Sequence, residues 1–258
     1  MEFDRRTLLK VAGLTLLGFA AKPGWEVFSE IDQPEPNPTA ESLAKIRWAM
    51  AVDLKKCWSA RDGCRDCIDA CHRLHNVPDM GAMKEEIKWI WTMPYGKVFP
   101  EHEMEYVEKK HEEGPVVLLC NQCDEPPCVK YCPTRATWRR EDGIVMMDFH
   151  RCIGCRYCMA GCPYGSRSFN WRDPRPFIKK VNPEYPTRTR GVVEKCNFCV
   201  ERLAQGLIPA CVEACKEKGL IFGDLKKPES EVRKALQDRV IYQRQPELGT
   251  KPRVYYLI

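Results

Sequence analysis

Sixteen cysteines in a chain of 258 residues fall into four clumps of four. Cysteine sulfur can form disulfides, hold zinc or hold iron-sulfur clusters, and spacing discriminates among the three. In the third clump Cys152, Cys155, Cys158 and Cys162 stand at C-x2-C-x2-C-x3-C and are followed by Pro163. Three sulfurs on one tight loop reach three corners of a four-iron cube, while the fourth, a helical turn further on, points toward a neighbouring cluster. Two such runs must therefore pair. The second clump, Cys120, Cys123, Cys128 and Cys132, supplies the natural partner at C-x2-C-x4-C-x3-C-P, its two extra residues lying in a loop with Pro126 and Pro127. The fourth, Cys196, Cys199, Cys211 and Cys215, reads C-x2-C-x11-C-x3-C. The first, Cys57, Cys64, Cys67 and Cys71, reads C-x6-C-x2-C-x3-C, an opening gap four residues beyond the standard, so an atypical cluster is expected there first.

Other chemistries fit less well. Structural zinc uses two C-x2-C pairs and has no need of a C-x3-C half-turn after each, so a zinc-stabilised assembly protein is the lesser alternative. Cys67 to His72 reads C-x3-C-H, one residue longer than a covalent haem attachment. His72 and His75, three apart, could share a helical face and bind a metal or relay a proton, against the ordinary reading of helix-end hydrogen bonding. The formal charge of +5 counts every thiol as neutral; four cluster cores, each about −2 with its thiolates, turn it to roughly −3. A nucleic-acid partner is thereby disfavoured. With no nucleophile–base constellation, no phosphate loop and no substrate domain, the chain is read as a conductor of electrons with no small-molecule substrate of its own.

The elements that must position these sulfurs are short. ATWRR and IVMMDF flank Glu141-Asp142-Gly143, a strong hairpin signal between the second and third clumps. RWAMAVDL, SRSFNW and GLIFGDL read as further strands, Ser230 to Asp238 as a helix capped by Ser230, and RVYYLI as a closing extended tail. An insert from Asn76 to Gly114 carries Trp89, Trp91 and Tyr95 and could either dock a partner or pack over the first clump. At the start, Arg5-Arg6 precedes the apolar run Val11–Ala21, which is too short to span a bilayer as a helix and reads as a twin-arginine export signal, cleaved or kept as an anchor. That route exports folded proteins, which suits clusters built in the cytoplasm and used on the periplasmic side.

The pattern resembles the four-cluster ferredoxin subunits of the DMSO and polysulfide reductase family, from about Arg47 to Ile258. It implies an α+β fold of tandem bacterial-ferredoxin-like cluster domains behind a signal segment: 1–29 signal, 30–46 linker, 47–111 first domain with insert (completed by 190–225), 112–189 second domain, and 226–258 helix and tail. It also implies four [4Fe-4S] clusters with ligands Cys57, Cys64, Cys67 and Cys215; Cys196, Cys199, Cys211 and Cys71; Cys120, Cys123, Cys128 and Cys162; and Cys152, Cys155, Cys158 and Cys132. Within that family, the run CHRLHNVP from Cys71 and the export signal look most like the DsrO group, the periplasmic subunits of Dsr membrane complexes in sulfur metabolism. That likeness implies a multi-span quinone-interacting partner and a multihaem cytochrome c. The electron-transfer subunit of a molybdopterin oxidoreductase is the alternative.

Overall fold

The computed structural model describes residues 39–60, 63–102 and 113–258. The export signal with Arg5 and Arg6 lies outside the described residues, as does most of the expected linker. Within the described part of that linker, residues 39–46, Ala40–Ala44 forms a short helix, α1, whose first turn is held by Thr39 accepting from the Ser42 N–H at 3.2 Å. No helix among the described residues is long and apolar enough to cross a membrane.

Past Arg47 the chain enters β1, Trp48–Asp53, in which every residue after Trp48 is buried. A continuous run of small and apolar residues suits a strand covered on both faces. Asp53 ends it and accepts from the Lys56 N–H at 3.1 Å, which starts α2, Leu54–Trp58, and so fixes Cys57. The longer α3, Asp66–Leu74, carries Cys67 and Cys71 on its buried face. The insert then makes a ladder of its own: β2, Ile90–Pro94, leads through α4, Tyr95–Val98, to β3, Pro115–Leu119, with Ile90 opposite Leu119. Trp89 and Trp91 are buried in the same core as Cys67, Cys71, Cys196 and Cys211, so the insert packs over the outer sulfurs.

The central part follows the hairpin expectation. After α5, Pro127–Lys130, strands β4, Thr137–Arg139, and β5, Val145–Met147, pair antiparallel around Asp142 and Gly143. Gly143 has φ +82° and the Arg253 guanidinium fills the space that a Cβ would take, so only glycine fits this turn. Then come α6, Tyr157–Ala160, the two-residue strands β6, Ser168–Phe169, and β7, Val193–Glu194, paired with each other, and the helices α7, Val200–Leu203, and α8, Ala210–Glu213.

The end of the chain departs from the expected tail. β8, Leu220–Asp224, is followed by α9, Glu231–Gln237, β9, Ile241–Tyr242, and β10, Val254–Leu257. These strands join β1 in one sheet of order β8-β1-β10-β9, and β10 lies inside it, parallel to β1 with Met50 opposite Val254. A strand and a loose tail have the same local sequence; what distinguishes them is a partner two hundred residues away. Helix α9 covers one face through Val232 against Ala49, Ala51 and Leu257, and the main core covers the other. Ser230 precedes α9, yet its hydroxyl donates to the Asp224 carbonyl at 2.7 Å and makes no cap bond.

Candidate metal centres

Three of the four cysteine groups are built on one backbone. In each C-x2-C loop the residue before the second cysteine has positive φ: Gln122 at 44°, Gly154 at 71° and Phe198 at 57°. The third cysteine rides a four-residue helix, Cys128 on α5, Cys158 on α6 and Cys211 on α8. The fourth closes that helix, with the N–H groups of Cys132, Cys162 and Cys215 each bonded three residues back at 3.2 Å. Three residues later φ turns positive again, at Arg135, Gly165 and Lys218. The left-handed bends curl the backbone around a centre and aim N–H groups inward. The first group shares the left-handed residue before its second cysteine, Gly63 at 70°, but differs further on, with its third and fourth cysteines on the nine-residue α3 and its next left-handed residue, Asn76, five positions after Cys71.

The sulfurs gather across the sequence. Cys57 sits among the charges of Cys215, Cys67 and Cys64. Cys71 sits among those of Cys196, Cys211 and Cys199. Cys120, Cys123, Cys128 and Cys162 line one cavity closed by Pro126, Pro127, Tyr164 and Arg167. Cys158 lies with Cys152 and Cys132. Cys155 is the exposed member of the sixteen, flanked by exposed Ile153 and Tyr157. Links between these gatherings run in one order. Cys67 acts on Cys71 and on Cys211, Cys120 acts on Cys196, and Cys128 acts on Cys158.

The sulfurs fit a metal cluster and fit free thiols poorly as anions. Burial first, and then the neighbouring sulfurs, push Cys57 and Cys67 up to about 12, and burial with Cys120 does the same to Cys123. Thiols so raised ionise at neutral pH only when a cation compensates them. Cys132 goes the other way: burial raises it, but N–H donors at Thr137, Ala136 and Thr134 outweigh that and lower it. Such donors are already aimed at sulfur elsewhere, from Phe198 to Cys196 at 3.4 Å and from Gly219 to Cys215 at 3.2 Å.

Several buried charges around the sulfurs had no signature in the sequence. Arg167, 5% exposed, donates to the Cys128 sulfur at 3.1 Å and to Thr137 Oγ1 at 2.9 Å. Burial works against its charge, but the sulfurs of Cys128, Cys158 and Cys120 more than compensate and hold it protonated. Lys195 donates to the carbonyls of Val145 and Cys196. Arg253 donates to the carbonyls of Gln122, Trp48, Asp142 and Gly143, tying β10 to β1, to the hairpin turn and to the Cys120 loop; burial pulls it down to about 10. In sequence each is one more basic residue among 41. The one hint is position, with Lys195 directly before Cys196 and Arg167 five after Cys162.

His72 and His75 do not form a shared site. His75 is buried, its Nε2 2.7 Å from Glu201 Oε1 and its Nδ1 3.0 Å from the Cys71 carbonyl, with its ring stacked on Trp89. His75, Glu201 and Cys199 bring ligand atoms within 4.8 Å of one another, but Cys199 belongs to the second gathering of sulfurs. His72 is half-buried and lies against a different part of the surface, with Asp79 and Phe177.

The 4Fe-4S dicluster domain family matches residues 116–182 and 175–225, leaving the first group outside both matches. The Hdr-like menaquinol oxidoreductase iron-sulfur subunit 1 of Archaeoglobus fulgidus is 41% identical, with 98% of this chain and 97% of that one covered. The menaquinone reductase iron-sulfur cluster-binding subunit of Nitratidesulfovibrio vulgaris is 38% identical over 83% of this chain and 89% of its own. A tetrathionate reductase subunit of Salmonella typhimurium is 34% identical over 100% of this chain and 89% of its own. These likenesses decide against zinc in favour of [4Fe-4S] clusters: the chain belongs to the family of iron-sulfur subunits that transfer electrons within oxidoreductase complexes.

Proposed function

We propose that this chain is the electron relay of a menaquinol-linked membrane complex, with four [4Fe-4S] clusters in single file. The single observation that carries the reading is the order in which the charges of the sulfur gatherings act on one another: Cys57/Cys64/Cys67/Cys215, then Cys71/Cys196/Cys199/Cys211, then Cys120/Cys123/Cys128/Cys162, then Cys132/Cys152/Cys158, to which we add Cys155. These are the ligand sets we assign. When bound, each cluster supplies a one-electron site; the chain's part is to hold it, exclude water and set its potential through donors and nearby charge. The exposed Cys155 puts the last set at the surface, where electrons can pass to or from a partner. The menaquinol and menaquinone enzymes among the relatives support a quinone-linked partner, and the resemblance adds its form, a multi-span subunit, with a multihaem cytochrome c, in a complex of sulfur metabolism.

The Arg5-Arg6 pair and the apolar run Val11–Ala21 support export in the folded state and work on the outer side of the cytoplasmic membrane. The tetrathionate reductase likeness over the whole chain favours a second reading, service to a molybdopterin enzyme.

Anaerobic purification from native membranes tests both. The expected protein is brown, binds close to sixteen irons and shows interacting four-iron EPR signals on reduction. Co-purifying cytochrome supports the first reading and co-purifying molybdenum the second. A colourless zinc protein would sink both.

A further inference from the structure

A buried cation needs an anion, and two of the four buried Arg and Lys side chains among the described residues have a carboxylate. Arg188 pairs with Glu194 at 2.6 Å, and Arg253 lies 3.5 Å from Asp124. Lys195 spends its donors on two backbone carbonyls. Arg167 is different. Among the described residues it has no carboxylate partner; its donors go to the Cys128 sulfur, to Thr137 Oγ1 and, at 3.7 Å, to Met147 Sδ. The Thr137 hydroxyl is itself fixed, donating to the Met146 carbonyl at 2.6 Å, so it holds the guanidinium in place. The charges that act on Arg167 are those of Cys128, Cys158 and Cys120, two from the third ligand set and one from the fourth.

We infer that Arg167 is a tuning residue that raises the reduction potential of the cluster held by Cys120, Cys123, Cys128 and Cys162. The inference rests on the ligand sets proposed above. Reduction adds one electron, and hence one negative charge, to a cluster that is already anionic. A fixed positive charge hydrogen-bonded to one of its sulfurs favours the more negative state. Arg167 is buried, so salt screens this interaction little, and a guanidinium does not deprotonate at any working pH. The neighbouring set feels the same charge through Cys158 without a direct bond, and the first two sets lack it.

The test is a potentiometric EPR titration of the full chain as purified, with the signal of the third set identified by its loss in Cys123→Ser. Arg167→Gln is expected to keep sixteen irons and to favour oxidation of that cluster at least tenfold, about 59 mV in midpoint for one electron. Arg167→Lys, which keeps the charge, is expected to lose less than half of that. Sixteen irons with four unchanged midpoints in Arg167→Gln would overturn the inference while leaving the ligand sets standing. A fall confined to another cluster would overturn it equally. If Arg167→Gln loads only twelve irons, Arg167→Lys decides: full loading supports a role for charge, and loss of the same cluster overturns it. Absence of iron from the unaltered protein would instead sink the ligand assignment itself.

Discussion

The residue most exposed to the cost of losing a partner is Arg188. It is buried with Glu194, donates to the carbonyls of His75 at 2.5 Å and Asn76 at 2.9 Å, and so ties the end of α3 to β7. Glu194 also accepts from Trp89 Nε1 at 2.9 Å and from Asn170 at 2.5 Å. Removing one member of a buried pair leaves the other charge uncompensated, at a cost of about 3–5 kcal/mol. Glu194→Gln should therefore lower the holoprotein's stability in anaerobic denaturant unfolding by that amount. At this scale the sequence was unevenly legible. The sulfurs announced themselves, because cluster chemistry demands a spacing that chance rarely supplies. Arg167, Arg188 and Glu194 did not, since a buried ion pair and a solvated one are the same two letters until the chain has folded.

Among the elements, β10 separates two pictures of the C-terminal segment. As an appended tail, its loss would leave the clusters in place; as an inner strand, its loss opens the sheet between β1 and β9. Truncation after Pro252 also deletes Arg253, which joins the sheet to the hairpin turn and to the Cys120 loop. The shortened chain should fail to accumulate as a soluble sixteen-iron protein, as size exclusion and iron analysis will show. The β4–β5 hairpin was readable because Asp142-Gly143 is a local signal, satisfied within ten residues. The pairing of Met50 with Val254 was not, because nothing near either residue records the other. The insert fell between these cases: Trp89 and Trp91 suit a docking face as well as a core, and only burial decided for the core.

For the whole molecule, the consequence of the single-file arrangement proposed above is that there is no detour. Cys67 with Cys71, Cys196 with Cys120, and Cys128 with Cys158 are the successive joints. Cys123→Ser should leave the first two clusters and the fourth reducible by a small-molecule reductant. Electron passage through the intact complex should nonetheless fall to a small fraction of its former rate, as stopped-flow reduction of the natural acceptor will measure. A rate near that of the unaltered complex would mean that the centres branch.

The parallel pairing of β1 with β10 also dictates when the molecule can be finished. The hairpin and the second and third cysteine groups lie close in sequence and can condense while the chain is still being made. The first group must wait for Cys215, and β1 must wait longer, until residues 254–257 have left the ribosome. The sheet is therefore completed last, and a chain stalled before residue 215 would carry its inner sulfurs gathered and its outer ones apart.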